Sequence, residues 1–200
     1  MSIVIGLTGQ TGAGKSTISE YAQEKGIAVI YADAVAREAL SNGSQCLLKL
    51  AEAFGNDIIC SDGSCNRPLL AKKAFADRKH TDILNSITHP WIIKRTEEYI
   101  REFRNKNYDM ILFDASQLFE SGGDKLCDYI IAVTADEEIR LDRIINRDKI
   151  DRECAERRIK AQYDEKYYTE KADAVIDGSA PIMEVRKQVD SIFAMLADKE

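Results

Sequence analysis

Residues 9–17 read Gly-Gln-Thr-Gly-Ala-Gly-Lys-Ser-Thr and lie between a β-rich run, 3–8, and a helix-permissive stretch from Gly14 onward. The spacing G-x-x-x-x-G-K-[ST] in that setting commits the chain to a strand, a glycine-rich turn and a helix in succession. Glycines let the backbone wrap tightly, so that its N–H groups converge at a helix N-terminus as an anion nest. Gly9, Thr11, Gly12, Ala13, Gly14, Lys15, Ser16 and Thr17 are therefore the candidate phosphate-binding set. Within it, Lys15 is expected to reach the β- and γ-phosphates of a nucleoside triphosphate such as ATP, and the Ser16 hydroxyl to ligate Mg²⁺.

Further apolar runs occur at 27–31, 110–113 and 129–133, with a weaker one at 174–178. They are continuous rather than alternating, which suits strands buried on both faces of a parallel sheet. Helical patterns separate them. Pro68, Pro90 and Pro181 are each expected at a helix start, where the missing N–H costs nothing. Near the end, Ile182, Val185, Val189, Ile192, Phe193 and Leu196 follow the spacing of one buried helical face. Strands alternating with helices predict an α/β, doubly wound fold. About 75 residues separate the second and third strands, more than one crossover helix needs. The expected layout is a core of 1–44, 107–135 and 172–200, a helical insertion over 45–106 on the substrate side, and a polar helical lid over 136–171.

The chain has 200 residues, 28 basic against 34 acidic, a net of −6. That balance argues against nucleic acid or an anionic membrane as partner. No apolar run reaches the roughly 18–20 residues that span a bilayer, and the first ten residues do not read as a secretion signal. Five cysteines, at 46, 60, 65, 127 and 154, form no CxxC pair and have only His80 and His89 to join them. Free thiols and a cytoplasmic location are the expectation.

Acidic residues just beyond strand ends face the ligand crevice of an open α/β sheet. Asp33 follows the second strand and is either a base toward an attacking hydroxyl or a helix N-cap. Asp114 closes the third strand, at the position of a magnesium-holding carboxylate or of a plain turn residue. Glu120 is a second carboxylate within reach of a metal. Arg140, Arg143, Arg147, Arg152, Arg157 and Arg158 crowd into 19 residues. The first three share one helical face, as phosphoryl-transfer chemistry would use them, although interleaved acids also suit a solvated surface. His89, read alone, is a cap or packing residue, and Trp91 and Ile92 are core candidates.

Together these residues resemble the dephospho-coenzyme A kinase family. The shared parts are I-G-L-T-G-x-x-G-x-G-K-S-T at 5–17, A-D-A-x-A-R at 32–37, F-G at 54–55, D-G-x-x-x-R at 62–67 and H-P at 89–90. They continue with L-F-E at 118–120, R-x-x-x-R at 143–147, Gln162 and A-D-x-V-I-D at 172–177. The resemblance implies a P-loop NTPase-type three-layer sandwich with a five-stranded parallel sheet, a helical substrate domain and a lid. It further implies transfer of phosphate from ATP to the 3′-hydroxyl of dephospho-coenzyme A. By the same resemblance Asp33 is the general base, Lys15, Arg143 and Arg147 serve catalysis, and Arg67, His89 and Glu120 join Asp33 on the acceptor side. The chain departs from the family pattern at Gln10, usually glycine, at Asn66, usually aspartate, and at Gln117, usually proline.

Other readings are a kinase for another nucleoside or polyol and a nucleotide-hydrolysing switch. The chain has no N-K-x-D guanine-reading motif and no clear switch threonine. Nucleic-acid binding through the arginine cluster is opposed by the interleaved acids.

Overall fold

The computed structural model describes residues 2–198. Five strands, β1 (Ile3–Gly9), β2 (Ala28–Tyr31), β3 (Met110–Asp114), β4 (Tyr129–Thr134) and β5 (Ala174–Asp177), form one sheet in the order β2-β3-β1-β4-β5. Every pairing is parallel. Leu7 and Tyr31 both pair with Asp114, so the carboxyl ends of β1, β2 and β3 lie side by side. The loop after Gly9, the turn after Tyr31 and the Asp114 carboxylate therefore open onto one crevice.

The continuous apolar runs are explained by helices on both faces. α1 (Lys15–Glu24) and α9 (Ile182–Ala197) cover one face with Tyr21, Ala22, Val185, Val189, Phe193 and Leu196. α2 (Ala32–Ala39) and the C-terminal part of α5 (Arg78–Asn105) cover the other with Val35 and Ile100. A third cluster, including Leu47, Leu50, Ile58 and Leu70, joins α3 (Gln45–Phe54) and α4 (Arg67–Ala74) to the N-terminal part of α5. A fourth, Leu141, Ile144, Ala155 and Ile159, holds α6 (Glu137–Asp148) against α7 (Arg152–Lys160). A short α8 (Glu165–Thr169) leads back to β5.

Local capping sets many helix starts. Ser44, Asn66, Asp77, Asp151 and Asp164 each accept a backbone N–H of the following helix. Pro68 stands in the first turn of α4 and Pro181 caps α9, as expected of start prolines. Pro90 does not. It lies inside α5, which begins at the Asp77 cap. A proline there frees the carbonyl of Ser86, four residues earlier. Ser86 and Pro90 are both exposed, so water can meet that carbonyl and the helix continues. His89 consequently sits mid-helix rather than at a cap.

Candidate active site

The phosphate loop runs from Gly9 into α1. Ala13 N–H donates to the Gln10 carbonyl at 3.2 Å and Thr17 N–H to the Gly14 carbonyl at 3.2 Å. Gly12 has φ +79°, and a Cβ on it would stand 2.7 Å from the Arg140 carbonyl, so two constraints exclude a side chain there. The Lys15 ammonium is tethered to the Gly9 carbonyl at 3.0 Å. Burial lowers its pKa, while Asp114 and Asp33 pull it back toward the charged form. Asp114 accepts the Ser19 hydroxyl at 2.7 Å. Burial raises its pKa, opposed chiefly by Lys15.

Thr11, Gly12, Gly14, Lys15, Ser16 and Thr17 line a cleft of about 810 Å³, which Asp33, Asp114, Arg143 and Arg147 also line. Asp33 is in the first turn of α2 and exposed, whereas Tyr31 is the N-cap of that helix. The capping alternative for Asp33 is thus excluded, and its carboxylate faces the cleft beside Lys15 and Arg147. Asp33 also lines a second cavity of about 500 Å³, walled by aliphatic side chains of α2, α4 and α5 and reached by Arg67 and His89. One carboxylate therefore stands between a phosphate site and an apolar cavity.

The dephospho-CoA kinase family model matches residues 3–184. The chain belongs to the dephospho-CoA kinase family. The dephospho-CoA kinase of Corynebacterium jeikeium is 39% identical over 194 residues, covering 97% of this chain and 100% of that protein. A Thermus thermophilus crystal structure matches at TM-score 0.80 and 25% identity, covering 98% of both chains. The dephospho-CoA kinase of Campylobacter jejuni matches at TM-score 0.73 and 25% identity, over 100% of this chain and 99% of that one.

In this member of the dephospho-CoA kinase family the expected site residues divide into several groups. Gly9 and Ala13 do not line the phosphate cleft. Gly9 gives its carbonyl to Lys15, and the Ala13 side chain is fully buried in the core. Arg143 lines the cleft, yet its guanidinium donates to the carbonyls of Gly12, Ala13 and Gly178 at 3.1, 3.2 and 2.7 Å, bracing the loop against the β5 turn. Arg147 faces the cleft with the Asp148 carboxylate at 2.8 Å. Arg140, placed by periodicity on the same face, is instead buried beneath Gly12. Arg152, Arg157 and Arg158 form exposed ion pairs with Glu138, Glu156, Glu153 and Asp148, the solvated arrangement that contributes little.

Glu120 does not line the cleft of the phosphate loop. It lines a third cavity of about 870 Å³ together with His89, Gln117 and Tyr163, which removes it as an alternative metal carboxylate. Burial raises its pKa, and Oε2 is buried without a partner. Burial also lowers the pKa of His89, opposed by the nearby Gln117 side chain and Glu120 backbone. Of the three departures from the family pattern, Gln117 thus supports His89 and Asn66 caps α4 by accepting Leu69 N–H at 3.2 Å. Gln10 donates to the Tyr163 carbonyl at 2.9 Å.

A group whose folded pKa is raised stabilises the fold below its unfolded pKa and loses that contribution as pH rises through the folded value. Glu120→Gln should therefore raise Tm at pH 7–8 by about 1–4 °C, and the gain should shrink as pH falls toward 5. Melting curves across that range check the sign.

Three positions outside the phosphate-loop motif act on the site, and of these the sequence offers only Gln162, as part of the family resemblance and without a role. Gln162 accepts Thr11 N–H at 2.8 Å, and Ser19 holds Asp114. Gly178 is the third: a Cβ there would lie 2.0 Å from the Ala13 carbonyl. Gly178→Ala should push the loop aside, raising the KM for ATP and lowering Tm by about 3–10 °C. Nucleotide titration and a melt of the same variant test both effects.

Proposed function

We propose that the chain transfers the γ-phosphoryl group of ATP to the 3′-hydroxyl of dephospho-coenzyme A, forming coenzyme A and ADP in the last step of coenzyme A biosynthesis. The observation that carries this is the Asp33 carboxylate on the wall shared by the phosphate cleft and the apolar cavity. A hydroxyl held there has a proton acceptor on one side and the γ-phosphate on the other, with Lys15 and Arg147 nearby for the charge that develops. Phosphoryl transfer needs little covalent chemistry from the protein, so positioning and charge neutralisation supply the catalysis. Arg143 acts by holding the loop in register, and Arg67, His89 and Glu120 face the acceptor.

Ser16 and Asp114 offer hard oxygen donors in the same cleft, with the carboxylate oriented by Ser19. Among the described residues no cluster of three or more His, Cys, Asp or Glu side chains could cage a metal. That donor set fits Mg²⁺, which takes one or two protein oxygens and completes its shell with phosphates and water. When bound, it would neutralise phosphate charge. The five cysteines are all free, and among the described residues no helix is long and apolar enough to cross a membrane. On this reading the protein acts in the cytoplasm on small-molecule substrates, and its net charge of −6 argues against nucleic acid as a partner.

The deciding measurement is ADP release with Mg-ATP, with and without dephospho-coenzyme A. Strong stimulation with coenzyme A as product is expected. Equal ADP release without acceptor would make the protein an ATPase instead.

A further inference from the structure

Ser116 lines all three cavities, and Asp33 lines two of them. A hydroxyl beside Asp33 therefore sits near a junction from which an acceptor can extend in two directions. Toward α4 the walls are aliphatic, with Leu40, Leu70, Ala74 and Leu84. The third cavity, between α5 and the segment 161–168, has different chemistry. Tyr163 and Tyr167 stack with ring centroids 4.0 Å and planes 15° apart, and the Lys171 ammonium lies 3.5 Å from the Tyr167 centroid. Both faces of Tyr167 are thereby occupied. Tyr163 is 52% exposed, which leaves its outer face open. Glu120, half-buried, lines the same cavity and brings a carboxyl group to its wall.

An exposed aromatic face beside a polar side chain is what a nucleobase requires: stacking for the ring and hydrogen bonds for its edge. We infer that the purine of the acceptor stacks on Tyr163 in this third cavity with its edge toward Glu120, while the flexible aliphatic arm enters the apolar cavity. The assignment rests on the proposed reaction and adds the placement of the two halves of its substrate. It also puts the base next to the phosphate loop. The Tyr163 carbonyl accepts from Gln10, and Gln162 accepts from Thr11 N–H. The tie through Tyr163 uses its main chain, so the ring can be replaced without cutting it.

The test compares dephospho-coenzyme A with an analogue carrying uracil in place of adenine, as acceptors for the full chain and for Tyr163→Ala and Tyr163→Phe. Affinity for a fluorescent ATP analogue is measured without acceptor. Tyr163→Ala should raise the acceptor KM by about 5- to 100-fold, leave nucleotide affinity unchanged and abolish the preference for purine. Tyr163→Phe, which keeps the ring face, should behave as wild type. An unaltered KM or purine preference in Tyr163→Ala overturns the placement, as does a Phe variant as poor as the Ala variant. A wild-type chain inert toward dephospho-coenzyme A defeats the reaction itself and the placement with it, whereas activity with undiminished purine preference in Tyr163→Ala defeats the placement alone.

Discussion

Asp33→Asn should lower turnover by about 10²- to 10⁴-fold, the usual contribution of a positioned general base, while affinity for ATP changes by no more than about twofold. The expectation follows from where the carboxylate sits. Asp33 is exposed in the first turn of α2 and caps no backbone group, so the amide replacement removes no structural hydrogen bond. On the proposed reaction it does remove a proton acceptor beside the acceptor hydroxyl, and it removes one of the negative charges that favour the charged form of buried Lys15. The loss should therefore fall on the chemical step more than on nucleotide binding. Single-turnover rates with saturating ATP and dephospho-coenzyme A, beside nucleotide titration of the same variant, separate the two. Turnover equal to wild type would end the base assignment.

How readily each feature could be read in the sequence tracked how local its physical cause was. The phosphate loop is a contiguous pattern with a single backbone solution, and the runs of β1 to β4 are continuous because those strands are covered on both faces, whereas edge strand β5 leaves Val175 exposed and is the weakest of the runs. Asp33, just past β2, and Asp114, at the end of β3, both line the cleft because position in an open parallel sheet decides which residues meet the crevice. What needed the third dimension was subtler. Periodicity puts Arg140, Arg143 and Arg147 within about 60° of one another, yet they stand at different heights along α6, and that height separates a buried arginine from one that braces the loop and from one that faces the cleft. Pro90 looked like a helix start because sequence alone does not show that the freed Ser86 carbonyl faces water. Gly178 and Gln162 act on the phosphate loop across 165 and 151 positions respectively, counted from Ala13 and Thr11. Gln162 belongs to the family resemblance, but nothing in its spacing announces that contact, and Gly178 follows the last of the shared stretches.

Lys15→Met should give the second large effect, a fall in kcat/KM of about 10²- to 10³-fold or more, the scale of removing one preorganised charge donor from a transition state. Methionine keeps most of the unbranched stem, so packing around α1 should survive. The unliganded fold has reason to tolerate the change. Burial lowers the lysine pKa, so its charged form withdraws stability at neutral pH, and that loss is relieved only as pH rises through the lowered value. The Gly9 carbonyl loses its donor, a partial offset. Melting temperature without ligand should therefore stay within about 5 °C of wild type. Saturating ATP, by contrast, stabilises a binder by about 2.7 kcal/mol at a hundredfold excess over Kd, and that increment should largely vanish in the variant. Asp114 supplies an independent readout. Lys15 is the main influence opposing the upward shift that burial imposes on this carboxyl, so its removal pushes the carboxyl higher still. The acid limb of residual activity should move to higher pH. An unmoved limb together with a retained ATP melting shift would show that Lys15 neither holds the phosphates nor sets the charge of Asp114.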